Sequence, residues 1–472
     1  MLKKILSQSA LYGLAPNVSK IIGFAILPIL TKYLTDVDYG ISLTIAAYTG
    51  AIAVFSTLGM NIVLTTSFYR YKYQYKWIWR QIYGFLQYWM IIFAILQSIL
   101  LYFIIPEEAQ ENRWAIIFLS NFATVFFGAT SLVGVMYYRL HQNPVPIAIR
   151  SAVSGILTVL ANLLFVVYFE MGYMGWYISS FIAGCFINAS YWWPINKKYK
   201  LSPIFRFKAR TIKHALKIAL PTIPHYYSSY LLNSSSRMVM DRSGLSMGKI
   251  GDFGFASQFG GYFDVFVNAV NMAVNPMTLE QIRNNKEKYA KKLIYAMAVI
   301  TISATFLFSL WAKEIFFLMV NNAHLQTVYP MAIIFVMAYN YRPMYIASTN
   351  MFFYYENTVG LLKISFIAGI LAFISYIVVI PIWGIWGAVI INFIFLQYMG
   401  YSGFFMKGYR SKTKVKYPFI AFFLITIALT LFVFWAVELA WQIKAGITVV
   451  FSLSAFFFLK SLNLNEIDED RH

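Results

Sequence analysis

Long apolar runs alternate with short polar segments along the whole chain. A membrane-crossing helix needs about 20 largely apolar residues. Runs of that kind occupy 9–33, 41–66, 82–105, 114–138, 147–169, 174–195, 215–238, 253–277, 292–312, 328–353, 360–381, 384–406, 417–437 and 443–460. The runs are continuous and do not alternate, so the pattern predicts helices and not barrel strands. It predicts an all-α polytopic membrane protein of about fourteen transmembrane helices. The tightest joint is Pro381-Ile382-Trp383, which alone separates the eleventh run from the twelfth.

Composition agrees with the pattern. Of the 472 residues 60% are hydrophobic and only 12% are charged, against about 25% charged in soluble domains. Lys3 and Lys4 ahead of an apolar stretch resemble a signal peptide, but the stretch is too long for one and lacks an A-x-A site, so it reads as the first span. The net charge of +20 would suggest a nucleic-acid partner in a soluble protein. Here it describes orientation, because most Lys and Arg residues fall on one side once the N-terminus is placed inside. Both termini are then cytoplasmic. The inner segments 69–80 and 197–217 are basic and aromatic, as suits an interfacial belt against anionic lipid. The single cysteine, Cys185, excludes an intramolecular disulfide and a Cys/His zinc site. There is no Walker lysine loop and no GxSxG, the five histidines are scattered, and neither a catalytic constellation nor a cofactor or metal site is expected.

The long basic segment divides the chain. Ala10-Leu11 with Pro16 opens the first part, and Ala215-Leu216 with Pro221 opens the second at the same spacing. Asp38-Tyr39-Gly40 is echoed by Asp252-Phe253-Gly254. The expected organisation is an N-terminal six-helix lobe at 1–196, a cytoplasmic basic linker at 197–214 and a C-terminal six-helix lobe at 215–407. Two extra helices follow at 417–460, and an acidic cytoplasmic tail at 461–472. Duplicated halves of this kind suit a transporter that binds its cargo between repeats.

The motifs Leu27-Pro28-Ile29-Leu30-Thr31-Lys32-Tyr33-Leu34-Thr35, Asp38-Tyr39-Gly40, Leu58-Gly59-Met60-Asn61 and Ser67-Phe68-Tyr69-Arg70 carry a resemblance. Ala219-Leu220-Pro221 and Gly251-Asp252-Phe253-Gly254 extend it into the second half. The chain resembles the oligosaccharide flippases of the polysaccharide-biosynthesis type, which belong with the MATE exporters and the lipid II flippases. The resemblance implies two pseudo-symmetric six-helix lobes around a central cavity, with helices thirteen and fourteen added. It also implies transfer of an undecaprenyl-pyrophosphate-linked glycan across the bacterial inner membrane, in the service of surface polysaccharide such as O-antigen of lipopolysaccharide, capsule or exopolysaccharide.

Ionisable groups inside spans are costly and so are candidates for function. Lys20 lies mid-span, four residues after Pro16, and His225 lies four residues after Pro221. Arg342 precedes Pro343, with Tyr345 and Thr349 on the same helical face, and its planar fork suits phosphate. These cations are expected to meet an anionic head group. Asn268, Asn271 and Asn275 follow Asp264 at helical spacing. The amides suit sugar hydroxyls, and Asp264 suits a coupling proton or sodium ion; plain helix-to-helix polar packing is the simpler alternative. Thr57, Asn61 and Thr65 form a smaller stripe on the second span. A MATE-like exporter of cationic drugs should carry an acidic cavity, and a membrane polysaccharide polymerase should carry a sizeable outer loop. Neither is seen, so a non-enzymatic flippase is the leading expectation. Its partners would be the lipid-linked glycan, anionic lipids and polysaccharide-assembly proteins, with no nucleic acid.

Overall fold

The computed structural model describes residues 18–71, 73–355, 358–413 and 415–463. Pro16, the start of the first span and nearly all of the acidic tail lie outside them. The described chain is almost wholly helical, with no strand among the described residues. Among the described residues, eight helical segments are long and apolar enough to cross a membrane, Tyr75–Ile104, Glu287–Leu310 and Trp441–Ser461 included. Several other expected spans are helices broken midway. Hydropathy averaged over a whole span does not register such breaks. The molecule is a multi-pass membrane protein.

Two compact units emerge: one of Leu14–Tyr230 with Ser246–Gly251, and one of Leu231–Leu245 with Asp252 onward. In the first unit the second expected span divides into Asp36–Ser56 and Met60–Arg70. Leu58 and Gly59 separate them with φ of 49° and 70°, a left-handed turn that glycine adopts without strain. A Cβ on Gly59 would stand 2.8 Å from the Ala219 carbonyl oxygen. That carbonyl ends the helix Ala209–Ala219, where Pro221 forces the tight turn Leu220–Thr222. Thr35 opens the helix Asp36–Ser56 with a capping box closed by Asp38. The core gathers Met60, Leu64, Trp79, Ile82, Leu86 and Ile195. Trp79 donates its indole N–H to the Leu64 carbonyl and the Ser67 hydroxyl, both at 3.0 Å. The basic linker is docked here and is not a loose loop. Arg80 donates to the Ser202 carbonyl, Ile204 N–H to the Arg80 carbonyl, and Lys208 N–H to Gln81.

The second unit also satisfies the backbone groups that its breaks expose, as lipid requires. The Leu232 carbonyl, beside the break before Ser235–Arg242, accepts from Tyr376 at 3.1 Å and from Asn392 at 3.4 Å. The long run Thr358–Tyr401 is two spans, because Gly384 leaves helical geometry at φ 57°, ψ −140°. Exposed Ile382 and Trp383 flank that turn, with Trp383 a residue type favoured at membrane interfaces. The last two helices contact the rest of the unit. Phe306, Leu310, Ile333 and Met337 form one cluster with Val433, Ala436 and Val437, and Phe451 stacks on Phe306. Lys444, fully buried, donates to both Glu314 oxygens at 2.7 and 3.0 Å. Lys313 and Tyr329 both donate to the Glu438 carboxylate.

Candidate functional site

The clearest polar constellation lies inside the second unit, where Met247–Arg283 passes beside the tenth expected span. Gly260 permits the approach, since a Cβ there would stand 3.2 Å from Phe335 Cβ and 3.3 Å from the Tyr339 ring. The tenth span is itself interrupted. Pro343 removes a backbone donor, and the chain tightens to a 3₁₀ turn over Tyr339–Tyr341 before Arg342–Tyr354 begins. Arg342 N–H therefore bonds the Tyr339 carbonyl, and Gln397 takes the freed Ala338 carbonyl at 2.9 Å.

That turn sets Arg342. Its Nη2 donates to Asn268 Oδ1 at 2.6 Å and its Nη1 to the Tyr341 hydroxyl at 2.9 Å. The guanidinium carbon lies 5.7 Å from the Tyr345 ring centre and 5.9 Å from that of Tyr341, within cation–π range. Asp264 lies one turn before Asn268 on the same helix. The result is a half-buried cation held in a fixed plane by an amide, a phenol and two aromatic faces. Two of its five donors are used here, and the fork retains the capacity to grip an oxyanion.

The other expected residues fall as follows. Asn271 and Asn275 lie on the same helix as Asn268, and their amide oxygens are buried without a hydrogen-bond partner among the described residues. Thr349 is buried and turns its hydroxyl back on the Tyr345 carbonyl at 2.8 Å. It does not join the Arg342 group. Lys20 is exposed on the short helix Val18–Ala25 of the first unit. Asn61 sits on Met60–Arg70 just past the Gly59 turn, where its backbone carbonyl accepts from Thr65 at 2.8 Å. His225 belongs to the helix Ile223–Asn233, and its side chain lies outside the described residues. Tyr341 was missed from sequence. Its signal was adjacency, Tyr339-Asn340-Tyr341 running directly into Arg342. His324 Nε2 lies 3.0 and 3.2 Å from the Asp252 carboxylate oxygens.

A family model described as polysaccharide biosynthesis protein matches residues 5–281, more than half of the chain. The chain belongs to the polysaccharide biosynthesis protein family. Among solved structures, this family member is similar to the lipid II flippase MurJ in its inward closed conformation. The TM-score is 0.72 at 16% identity, over 97% of this chain and 99% of that one. It is also similar to an outward-facing multidrug resistance MATE family transporter of the MOP superfamily, with TM-score 0.55, 14% identity, and 91% and 96% coverage. A MATE protein in the straight conformation follows at TM-score 0.53 and 15% identity, over 91% and 97%. At these identities the likeness establishes the fold, which is that of the flippases and exporters. No curated protein sequence matches the chain.

Proposed function

We propose that this polysaccharide biosynthesis protein is a flippase. It carries an undecaprenyl-pyrophosphate-linked oligosaccharide from the cytoplasmic to the outer face of the bacterial inner membrane, for O-antigen, capsule or exopolysaccharide assembly. The observation that carries the reading is Arg342, a guanidinium oriented by Asn268 and Tyr341 within a membrane-embedded unit. A cation at that depth costs roughly 2.5–3.5 kcal/mol on insertion scales, and an anionic cargo gives it a purpose. Arg342 and Lys20, with His225, are assigned to the pyrophosphate. Asn61, Asn268, Asn271, Asn275, Tyr345 and Thr349 are assigned to the sugars, and Asp264 to a coupling proton or sodium ion. The prenyl tail stays in lipid while the two lobes alternate access, with both termini cytoplasmic. A MATE-like drug exporter is the weaker reading, because a cationic drug would meet a fixed guanidinium.

The test is a deletion strain examined for lipid-linked glycan on each face of the membrane. The expected result is glycan accumulating inside and absent from the surface. Normal surface glycan would overturn the assignment.

A further inference from the structure

Besides the Arg342 group, the second unit holds a cavity of 600 Å³ among Thr358–Tyr401, the turn Ser402–Phe405 and Phe419–Ala436. That volume lies in the range of ligand-sized pockets, about 300–1,000 Å³. Its walls are apolar, and Ile367, Ile394 and Phe405 are 40%, 48% and 59% exposed, so the cavity opens on the flank of a membrane-spanning unit. Lys363 stands exposed at its edge, close to the start of its helix. Two polar residues, Gln397 and Ser402, border it. Gln397 is only 2% exposed, and its Oε1 is buried without a partner among the described residues, as is Ser402 Oγ. The cavity thus joins an apolar wall to a cation at its rim.

We propose that this groove is a binding site for one anionic glycerophospholipid of the bilayer. An acyl chain fills the apolar wall at Ile367, Ile394 and Phe405. The Ser402 hydroxyl donates to an ester carbonyl, and Lys363 pairs with the phosphate. Basic pockets between transmembrane helices recognise anionic headgroups in this manner. A single lysine matches the one charge of a phosphodiester better than the roughly two charges of a prenyl pyrophosphate, so the occupant is bilayer lipid and not cargo. Native mass spectrometry of the full chain, titrated with phosphatidylglycerol or phosphatidylethanolamine, tests this without reference to transport. The wild type should retain one phosphatidylglycerol with about fivefold preference, the factor one basic residue gives near anionic lipid. Lys363→Gln, a benign change at an exposed position, should erase the preference, and Ile394→Trp should reduce retention of both lipids. Equal retention by all three proteins would overturn the site, as would displacement of phosphatidylglycerol by stoichiometric undecaprenyl pyrophosphate.

Discussion

At the residue scale the informative position is Arg342, because three residues fix its orientation while most of its donors remain. Replacing it with Ala should abolish surface glycan while the protein stays in the membrane at its usual level. Arg342→Lys is the sharper variant. It keeps the charge but loses the fork that reaches Asn268 and Tyr341 together, so surface glycan should fall at least tenfold. Full activity in the Lys variant would show that charge alone matters. Sequence made the cation and the Asn268 stripe legible, since helical spacing carries both. It did not reveal that Asn268 and Arg342 touch, because 74 residues separate them and no local pattern encodes that pairing. Tyr341 escaped for a related reason: on an ideal helix it faces away from its neighbour, and only the 3₁₀ turn before Pro343 brings its hydroxyl to the guanidinium.

At the element scale, close helix approaches turn on single glycines. A Cβ on Gly40 would fall 1.9 Å from the Met247 carbonyl oxygen, and one on Gly251 would fall 1.8 Å from that of Asp36. These glycines belong to the Asp38-Tyr39-Gly40 and Gly251-Asp252-Phe253-Gly254 motifs. The family motif therefore has a packing reason, since rigid backbone fills the space on the far side. Gly40→Val or Gly251→Val must separate the two helices, and overpacking of that kind costs about 1–3 kcal/mol. The midpoint of thermal unfolding in detergent should fall by several degrees in either variant. Gly184→Ala, with nothing within 4 Å of the new Cβ, should not lower it, since Ala suits a helix interior better than Gly. Helix positions were largely legible from hydropathy, including the two spans on either side of Gly384. The interruptions at Gly59, Pro221 and Tyr339–Tyr341 were not, because each is a backbone event inside an apolar run. Lys444 extends the point. Nothing in the sequence pairs it with Glu314, 130 residues away, yet it is fully buried against that carboxylate. Glu314→Ala should destabilise more than Lys444→Met, because the former strands a buried cation and the latter removes it. A double variant less stable than Glu314→Ala would contradict this.

At the scale of the whole molecule the question is what drives transport, and charge supplies an argument. The proposed cargo carries about two negative charges, and an outward-moving anion leaves a negative interior, which is favourable by about 2.3 kcal/mol per charge per 100 mV. A potential of that size would contribute roughly 4–5 kcal/mol to each outward step, enough to bias the cycle by about three orders of magnitude. No nucleotide engine is then required, consistent with a chain that lacks a phosphate-binding lysine loop. Asp264 adds a separable element, since a neutral amide in its place cannot take up a coupling ion. In proteoliposomes loaded with fluorescent undecaprenyl-pyrophosphate-linked glycan, a potassium diffusion potential of imposed sign should accelerate transfer toward the positive side and slow it when reversed. Asp264→Asn should retain that voltage response but lose any acceleration by a proton or sodium gradient. Transfer indifferent to potential in the wild type would remove voltage as the driving force and leave the gradient through Asp264 to carry the whole cycle.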